Sequence, residues 1–340
     1  MGADQFRILP VSQVDDAQLL EFAISTWGEE GWRRVQKPWW RDGNYALANA
    51  AIDSTTNRIA GLCVAVPSEW RLPESRDVQA VSICGWYVAP PFMGKGLGKT
   101  LVRSFNHRAS CMNALSISDA AVGNFTKLGW AGPYASWLRL LPFPIARRAV
   151  THVAAFSVHS HLLGGGAIPS AAAAALDAID AGRPPTILRR KRRAVEWSAL
   201  LRACPTRRLE FHFLYEGTRP IGYFVIRPTD KEAGLAYRVA RLHYVSDVVL
   251  NCVRPEVVEF LVDSMAVAAP LSAGALLLCT TSRAIAEATS AQGWMDQRTK
   301  LLGPRLLKKA PRFMLGGDFA PMRTDDFWLT FSDSDVDLNI

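Results

Sequence analysis

The stretch that most constrains this chain runs from Val81 to about His107. Val81–Val88 is a β-favouring, mostly apolar run that Pro90–Pro91 stops. Gly94, Gly96 and Gly98 then alternate through a turn, and Leu101, Val102 and Phe105 follow at helical spacing. Such a turn bends sharply with no side chains in front of its amides. With Lys95 and Lys99 beside them, the amides at the helix start make a seat for phosphate or pyrophosphate. A plain turn between a buried strand and a core helix would use the same residues. Two familiar phosphate loops do not fit. A Walker-type loop needs four residues between its first Gly and Gly-Lys-Thr, and Gly94 to Gly98 leaves three. A dinucleotide fingerprint needs Gly-x-Gly-x-x-Gly, which this spacing does not give.

Around that stretch the first 145 residues read as a mixture of strands and helices. Phe6–Leu9 is a short strand closed by Pro10, and Ser12 is placed to cap the next helix with Asp15 three residues on. Trp27, Glu29, Glu30, Trp32, Trp39 and Trp40 crowd one polar segment. They suit a recognition wall for a substrate, or a helical pair packed onto a sheet. Tyr45–Ile52 and Ile59–Val66 read as a hairpin, and Glu69-Trp70-Arg71 sits near a turn. Ala114–Ile117 reads as a strand, Asp119–Lys127 as a short helix ending at Gly129-Trp130, and Tyr134–Leu141 as one more strand.

Val88, Pro90 and the Gly94, Gly96, Gly98 run resemble the core motif of the GNAT superfamily of acyl-CoA-dependent N-acyltransferases. Met93 stands where that family most often has Arg or Gln. Ser118, Ala121, Phe125, Lys127, Gly129 and Trp130 occupy the places of the second family motif; Lys127 and the Gly129-Trp130 ending match it, and Phe125 stands where many members carry Tyr. The resemblance implies an α+β fold with a mixed, mainly antiparallel twisted sheet flanked by helices. It implies acetyl-CoA or another acyl-CoA as donor, held by Trp86, Tyr87, Val88, Met93, Gly94, Lys95, Gly96, Leu97, Gly98, Lys99 and Phe125. On the family layout the Val88 amide polarises the thioester. Phe125 has no hydroxyl with which to protonate a departing thiolate. On that layout Glu29, Glu30, Glu69 and Asp119 are the nearby carboxylates. Glu69 is taken as base, directly or through water, with Tyr134 as acid, and positioning alone would suffice for an amine of low pKa. Trp27, Glu29, Glu30, Trp32 and Trp39 are assigned to the acceptor. Direct attack on the thioester is favoured, and Cys84 leaves a covalent route open.

Residues 146–190 change character, with Gly164–Gly166, an alanine-rich helix near Ser170–Ile179, and Gly182-Arg183-Pro184-Pro185. They read as a helical, flexible connector. Arg189–Arg193 reads as the solvated opening of a helix that continues through Trp197 and Leu201; a lipid or nucleic-acid patch is the competing reading. From 191 to 340 a hairpin (Leu209–Tyr215, Ile221–Ile226), an extended run (Tyr237–Val249), a helix (Val257–Val267), a strand (Leu276–Cys279) and Gly293-Trp294 repeat the order of the first half. This resembles a tandem GNAT protein with a degenerate second domain, because Asn251–Pro255 carries no glycine loop.

The chain has 340 residues, 49% of them hydrophobic, enough for two domains. Its formal charge of +8 suits an anionic ligand, and with no aromatic–basic stripe a nucleic-acid partner rests on charge alone. Six scattered cysteines without a CxxC pair read as reduced residues of a cytoplasmic protein, and no signal-like or membrane-spanning run stands out. The aspartates from Asp325 to Asp337 lack the Gly and Glu of a calcium loop, so no metal is expected. The expected acceptor is a small primary amine such as an amino sugar, amino acid or natural-product intermediate, and a homodimer is left open. The competing class is a non-catalytic acyl-CoA-binding protein on the same fold.

Overall fold

A computed structural model describes residues 5–35, 47–72, 76–115, 117–141, 155–164, 167–182, 189–203, 209–227, 232–235, 238–268, 274–296 and 312–319. Their strands form two eight-stranded sheets, mixed and mainly antiparallel, with helices packed on them.

In the first sheet β1 (Phe6–Pro10), β2 (Leu47–Asp53), β3 (Ile59–Arg71) and β4 (Asp77–Val88) run antiparallel in succession. The chain then crosses over through α2 (Leu97–Arg103) and lays β5 (Cys111–Leu115) parallel to β4. Beyond β5 lie β16 (Arg312–Gly317) and β6 (Ala131–Ala135), while the two-residue β9 (Arg189–Arg190) pairs with β3. The second sheet repeats the plan. Strands β8 (Phe156–Leu163), β10 (Leu209–Glu216), β11 (Arg219–Arg227) and β13 (Arg238–Leu250) are antiparallel, and β12 (Glu232–Leu235) pairs with β13. After α6 (Pro255–Ala268), β14 (Gly274–Thr280) lies parallel to β13, followed by β7 (Trp137–Leu141) and β15 (Met295–Asp296).

The two sheets exchange a strand. The run Tyr134–Leu141, read from sequence as one strand, is two: β6 stays in the first sheet and β7 crosses to the second, where Leu138 and Leu140 are buried. In return β16 leaves the second half and inserts between β5 and β6. So β7, from the expected first domain, and β16, from the expected second, each belong to the other sheet. The helix that precedes each exchanged strand is built alike. In α3 (Asp119–Lys127) Ser118 caps the first turn, and in α7 (Arg283–Ala291) Ser282 does so. Left-handed Gly129 and Gly293 end these helices, and the amides of Trp130 and Trp294 bond back to Phe125 and Thr289.

The β3 alternation explains the layering. Leu62, Val64 and Val66 face the second sheet and pack with Phe211, Phe213, Tyr223 and Val225. Helices α1 (Asp16–Val35), α4 (Ser170–Ala181) and α5 (Ala194–Ala203) close this core with Leu19, Phe22, Leu176, Ile179, Trp197 and Leu201. On the other face Cys63 and Ala65 pack with Leu97, Leu101 and Val102 of α2 and with Phe125 of α3. Asp15, not Ser12, caps α1, accepting from the amides of Ala17 (2.9 Å) and Gln18 (3.2 Å); Ser12 lies in a preceding 3₁₀ turn.

The basic run is the clearest correction. It is not a solvated opening: Lys191 and Arg192 are 4% and 6% exposed. Lys191 Nζ donates to Glu69 (2.9 Å) and Asp77 (2.7 Å), and Arg193 donates to Glu69 (2.8 Å). Arg192 Nε donates to Asp247 (2.9 Å), which also accepts from Tyr223 Oη (3.0 Å). Cations buried at a seam between sheets persist when paired and hydrogen-bonded in this way.

Candidate acyl-CoA cleft

The site begins where β4 loses a neighbour. Its register with β5 ends at Ile83, opposite Ala114, but its register with β3 continues to Val88, opposite Gly61. Between them Cys84 is the extra residue of a bulge. Among the described strands, the last residues of β4 therefore have a ladder partner on the β3 edge only. Ala89 N donates to Ala60 O (2.9 Å), so strand alternation turns the amides of Val88 and Trp86 toward the open edge.

Pro90–Phe92 then forms a 3₁₀ turn leading into the glycine loop. Gly94 and Gly96 sit at φ 76° and 80°, a left-handed conformation that favours glycine. A β-carbon at either would meet nothing within 4 Å, so this backbone faces open space. The first helical bond of α2 is Thr100 N to Gly96 O (3.2 Å), which leaves the amides of Leu97, Gly98 and Lys99 without an acceptor in the helix.

The space in front of the loop is a cleft of about 520 Å³. Its floor is Trp86, Tyr87 and Val88. One wall is Phe92, Met93, Gly94, Gly96, Leu97, Gly98 and Lys99; the other is the α3 face carrying Ser118, Ala120, Ala121, Asn124, Lys127 and Leu128. Lys99 and Lys127 supply a cation to each wall, and no Asp or Glu among the described residues lines the cleft. That balance suits a polyanion.

Most of the expected donor-binding residues meet here, with two exceptions. Lys95 does not line the cleft; its ammonium lies 5.5 Å from the centre of the Phe92 ring. Phe125 is buried and does not line the cleft; its ring packs tilted against Trp86 (4.9 Å) and Trp130 (4.5 Å). It shapes the cleft by holding Trp86.

The expected catalytic pair is not brought to this cleft. Glu69 lies eight residues along β3 from Gly61, the partner of Val88. At the strand rise that is about 26 Å from the open end of β4. Both its carboxylate oxygens are taken, one by Lys191 and one by Arg193. Tyr134 packs its ring on Phe313 at 5.2 Å, in a cluster with Trp70 and Phe319 apart from the α2 and α3 face. Trp27, Glu29, Glu30 and Trp32 fall on the end of α1, whose helical path breaks at Gly28 (φ 67°). Trp39, Trp40, Arg183–Pro185 and the aspartate tail lie outside the described residues.

The wall from α3 was missing from the sequence assignment, apart from residues matched to the family motif. Its signal was present: Ala120, Ala121, Asn124, Lys127 and Leu128 recur at helical three- and four-residue spacing, a stripe of small and polar groups. The second sheet has the same parting, with β13 leaving β14 after Val245 and ending at Leu250. There the connection to α6 is the glycine-free Asn251–Arg254, and Arg254 is paired with Glu216 (2.6 Å).

Residues 13–130 match the model of the acetyltransferase (GNAT) family. No curated protein matches the chain. Among solved structures, a GCN5-related N-acetyltransferase from Anabaena variabilis superposes with TM-score 0.55 at 13% identity, over 91% of this chain and 72% of that one. One from Kribbella flavida gives 0.51 at 15% identity, over 91% and 71%. Saccharomyces cerevisiae N-myristoyltransferase with bound myristoyl-CoA gives 0.51 at 10% identity, over 93% and 84%. The chain has the GNAT acetyltransferase fold, with two sheets arranged as in tandem members.

Proposed function

We propose that this protein moves an acyl group from coenzyme A to a small primary amine, by direct attack of the amine on the thioester. One observation carries the reading: a cleft with no carboxylate among its described lining residues joins the open glycine loop to the end of β4 that parts from β5. The loop amides, with Lys99 and Lys127, would hold the pyrophosphate. The amides of Val88 and Trp86 would donate to the thioester oxygen as negative charge develops on it. Nitrogen forms its bond to the carbonyl carbon, the carbon–sulfur bond breaks, and the thiolate takes a proton from solvent. In this reading the amine loses its proton to water and rate comes chiefly from positioning, in keeping with the absence of a carboxylate among the described lining residues. The second half serves as a structural partner that shapes the acceptor side, in a cytoplasmic enzyme.

A non-catalytic acyl-CoA-binding role is the second reading, favoured by that lack of a carboxylate and by Phe125 in place of a hydroxyl. Calorimetric titration with CoA, acetyl-CoA and myristoyl-CoA, beside a Gly96→Val variant, tests both. Saturable binding lost in the variant, with amine-dependent thiol release, supports the enzyme. Binding without release from any amine in a broad panel supports the second reading. No binding by the native protein refutes both.

A further inference from the structure

Among the described residues, β1, β6, β15 and β8 end the two main strand orders, and the first three are protected. The β1 edge carries Arg7 and stops at Pro10, β6 contains Pro133, and β15 is two residues long. Prolines, charges and short length are the usual means of blunting an edge. The fourth, β8, has none of these. Its sequence Phe-Ser-Val-His-Ser-His-Leu-Leu holds no charged residue and no proline. It pairs with β10 along all eight residues without a bulge, so its outer edge is straight. His159 and His161 pack on Tyr215 and Phe213, which fixes the strand against its neighbour. Among the described residues no strand takes that outer edge. Its side chains are open as well, with Leu162 63% and Val158 36% exposed.

The strand is also self-complementary. Read outward from Ser160, the residues are His and His, then Val and Leu. An antiparallel copy centred on Ser160 sets Val158 against Leu162 and His159 against His161, with Ser160 facing its own counterpart. We propose that two copies of this chain join edge to edge through β8, antiparallel and in register at Ser160, making one continuous sheet across the dimer. A strand-edge contact covers less than the roughly 1,600 Å² of a standard interface, so the dimer is expected to dissociate on dilution through the micromolar range. The net charge of +8 on each copy opposes approach, and added salt strengthens the pairing.

Sedimentation velocity at about 100 µM, well above such a dissociation constant, tests this on the full chain. The native protein is expected to sediment as a dimer. The double variant Val158→Lys, Leu162→Lys, which sets lysine against lysine across the pair, is expected to be monomeric with an unchanged melting curve. Ser160→Cys is expected to cross-link on oxidation, since directly opposed residues lie within disulfide reach. Ser157→Cys, whose counterpart lies six positions away, is expected to stay single. A native monomer, a dimer that persists in the double variant, or equal cross-linking at Ser157 and Ser160 overturns the proposal. Failure here leaves the acyl-CoA reading untouched, because that reading is judged by ligand binding.

Discussion

The indole of Trp86 occupies the space that a side chain on Gly98 would need: a β-carbon there would come within 2.7 Å of the ring. The indole has little room to yield. Phe125 packs tilted against it, Trp130 packs against Phe125, and Trp130 in turn fills the space beside Gly316, where a β-carbon would lie 2.6 Å from it. A row of contacts thus links α2, β4, α3 and the exchanged strand β16.

Gly98→Ala sets two effects against each other. Alanine in a helix gains about 1 kcal/mol over glycine. Overpacking a filled site costs about 1–3 kcal/mol. Because the aromatic row is closed at both ends, the second effect is expected to win, lowering the melting temperature and weakening CoA binding together. Gly123→Ala in α3 meets no atoms, has an ordinary helical backbone and does not line the cleft, so it is the control. Equal melting temperatures for Gly98→Ala and the native protein would show that the row can relax.

Glu69→Gln separates a base from a structural anion. The carboxylate holds Lys191 and Arg193 at the seam between the sheets. Its loss leaves the buried Lys191 with Asp77 as its remaining carboxylate in the described network. The variant is expected to unfold at lower denaturant while CoA affinity and the pH profile of thiol release stay as in the native protein. Loss of an acid limb from that profile without a change in stability would restore Glu69 as the base.

Burial pushes His212 down to about 4 from its ordinary value. Its ring is stacked on Phe224 at 4.6 Å, and Ser160 Oγ lies 2.8 Å from Nδ1. Glu210, at 3.9 Å, is beyond hydrogen-bond reach and well exposed, so it offsets little. The unfolded chain binds this proton near pH 6.5 and the folded chain near 4. Stability therefore falls as pH drops through that interval, by up to about 3 kcal/mol. His212→Phe keeps the stack and removes the proton site. Urea unfolding between pH 7 and 4 is expected to show a flatter dependence in the variant; an unchanged slope would assign it to other groups.

The legible parts of this protein were those whose signals are local. Ser118 and Gly129 bracket α3, Asp53 and Asn57 turn the first hairpin, and the glycine loop announces itself by composition. What escaped depends on distant partners. Lys191 and Arg192 look like solvent-facing charge until Glu69, Asp77 and Asp247 are brought to them. Phe313-Met314-Leu315 is apolar without alternation because both faces of the strand are covered, and no short-range pattern says which sheet receives it. Glu69 and Tyr134 were assigned by family layout, and their true neighbours lie more than a hundred positions away in sequence.

The exchanged strand gives the sharpest test of how the two halves depend on each other. β16 is hydrogen-bonded to β5 on one side and β6 on the other, and Phe313, Met314 and Leu315 are buried on both faces of the sheet. Ending the chain after residue 311 would remove it and leave two strand edges unpaired inside the first sheet. The buried side chains lost include Phe313, Met314, Leu315 and Phe319, each worth about 2–5 kcal/mol when truncated singly. That total is comparable to the whole stability of a domain. The truncated chain is therefore expected to lose CoA binding and cooperative melting of the first sheet, although every residue lining the cleft is retained. Supplying residues 308–320 as a peptide is expected to restore part of both. A truncated chain that still melts cooperatively and binds CoA as the native one does would mean that β5 and β6 close without the borrowed strand.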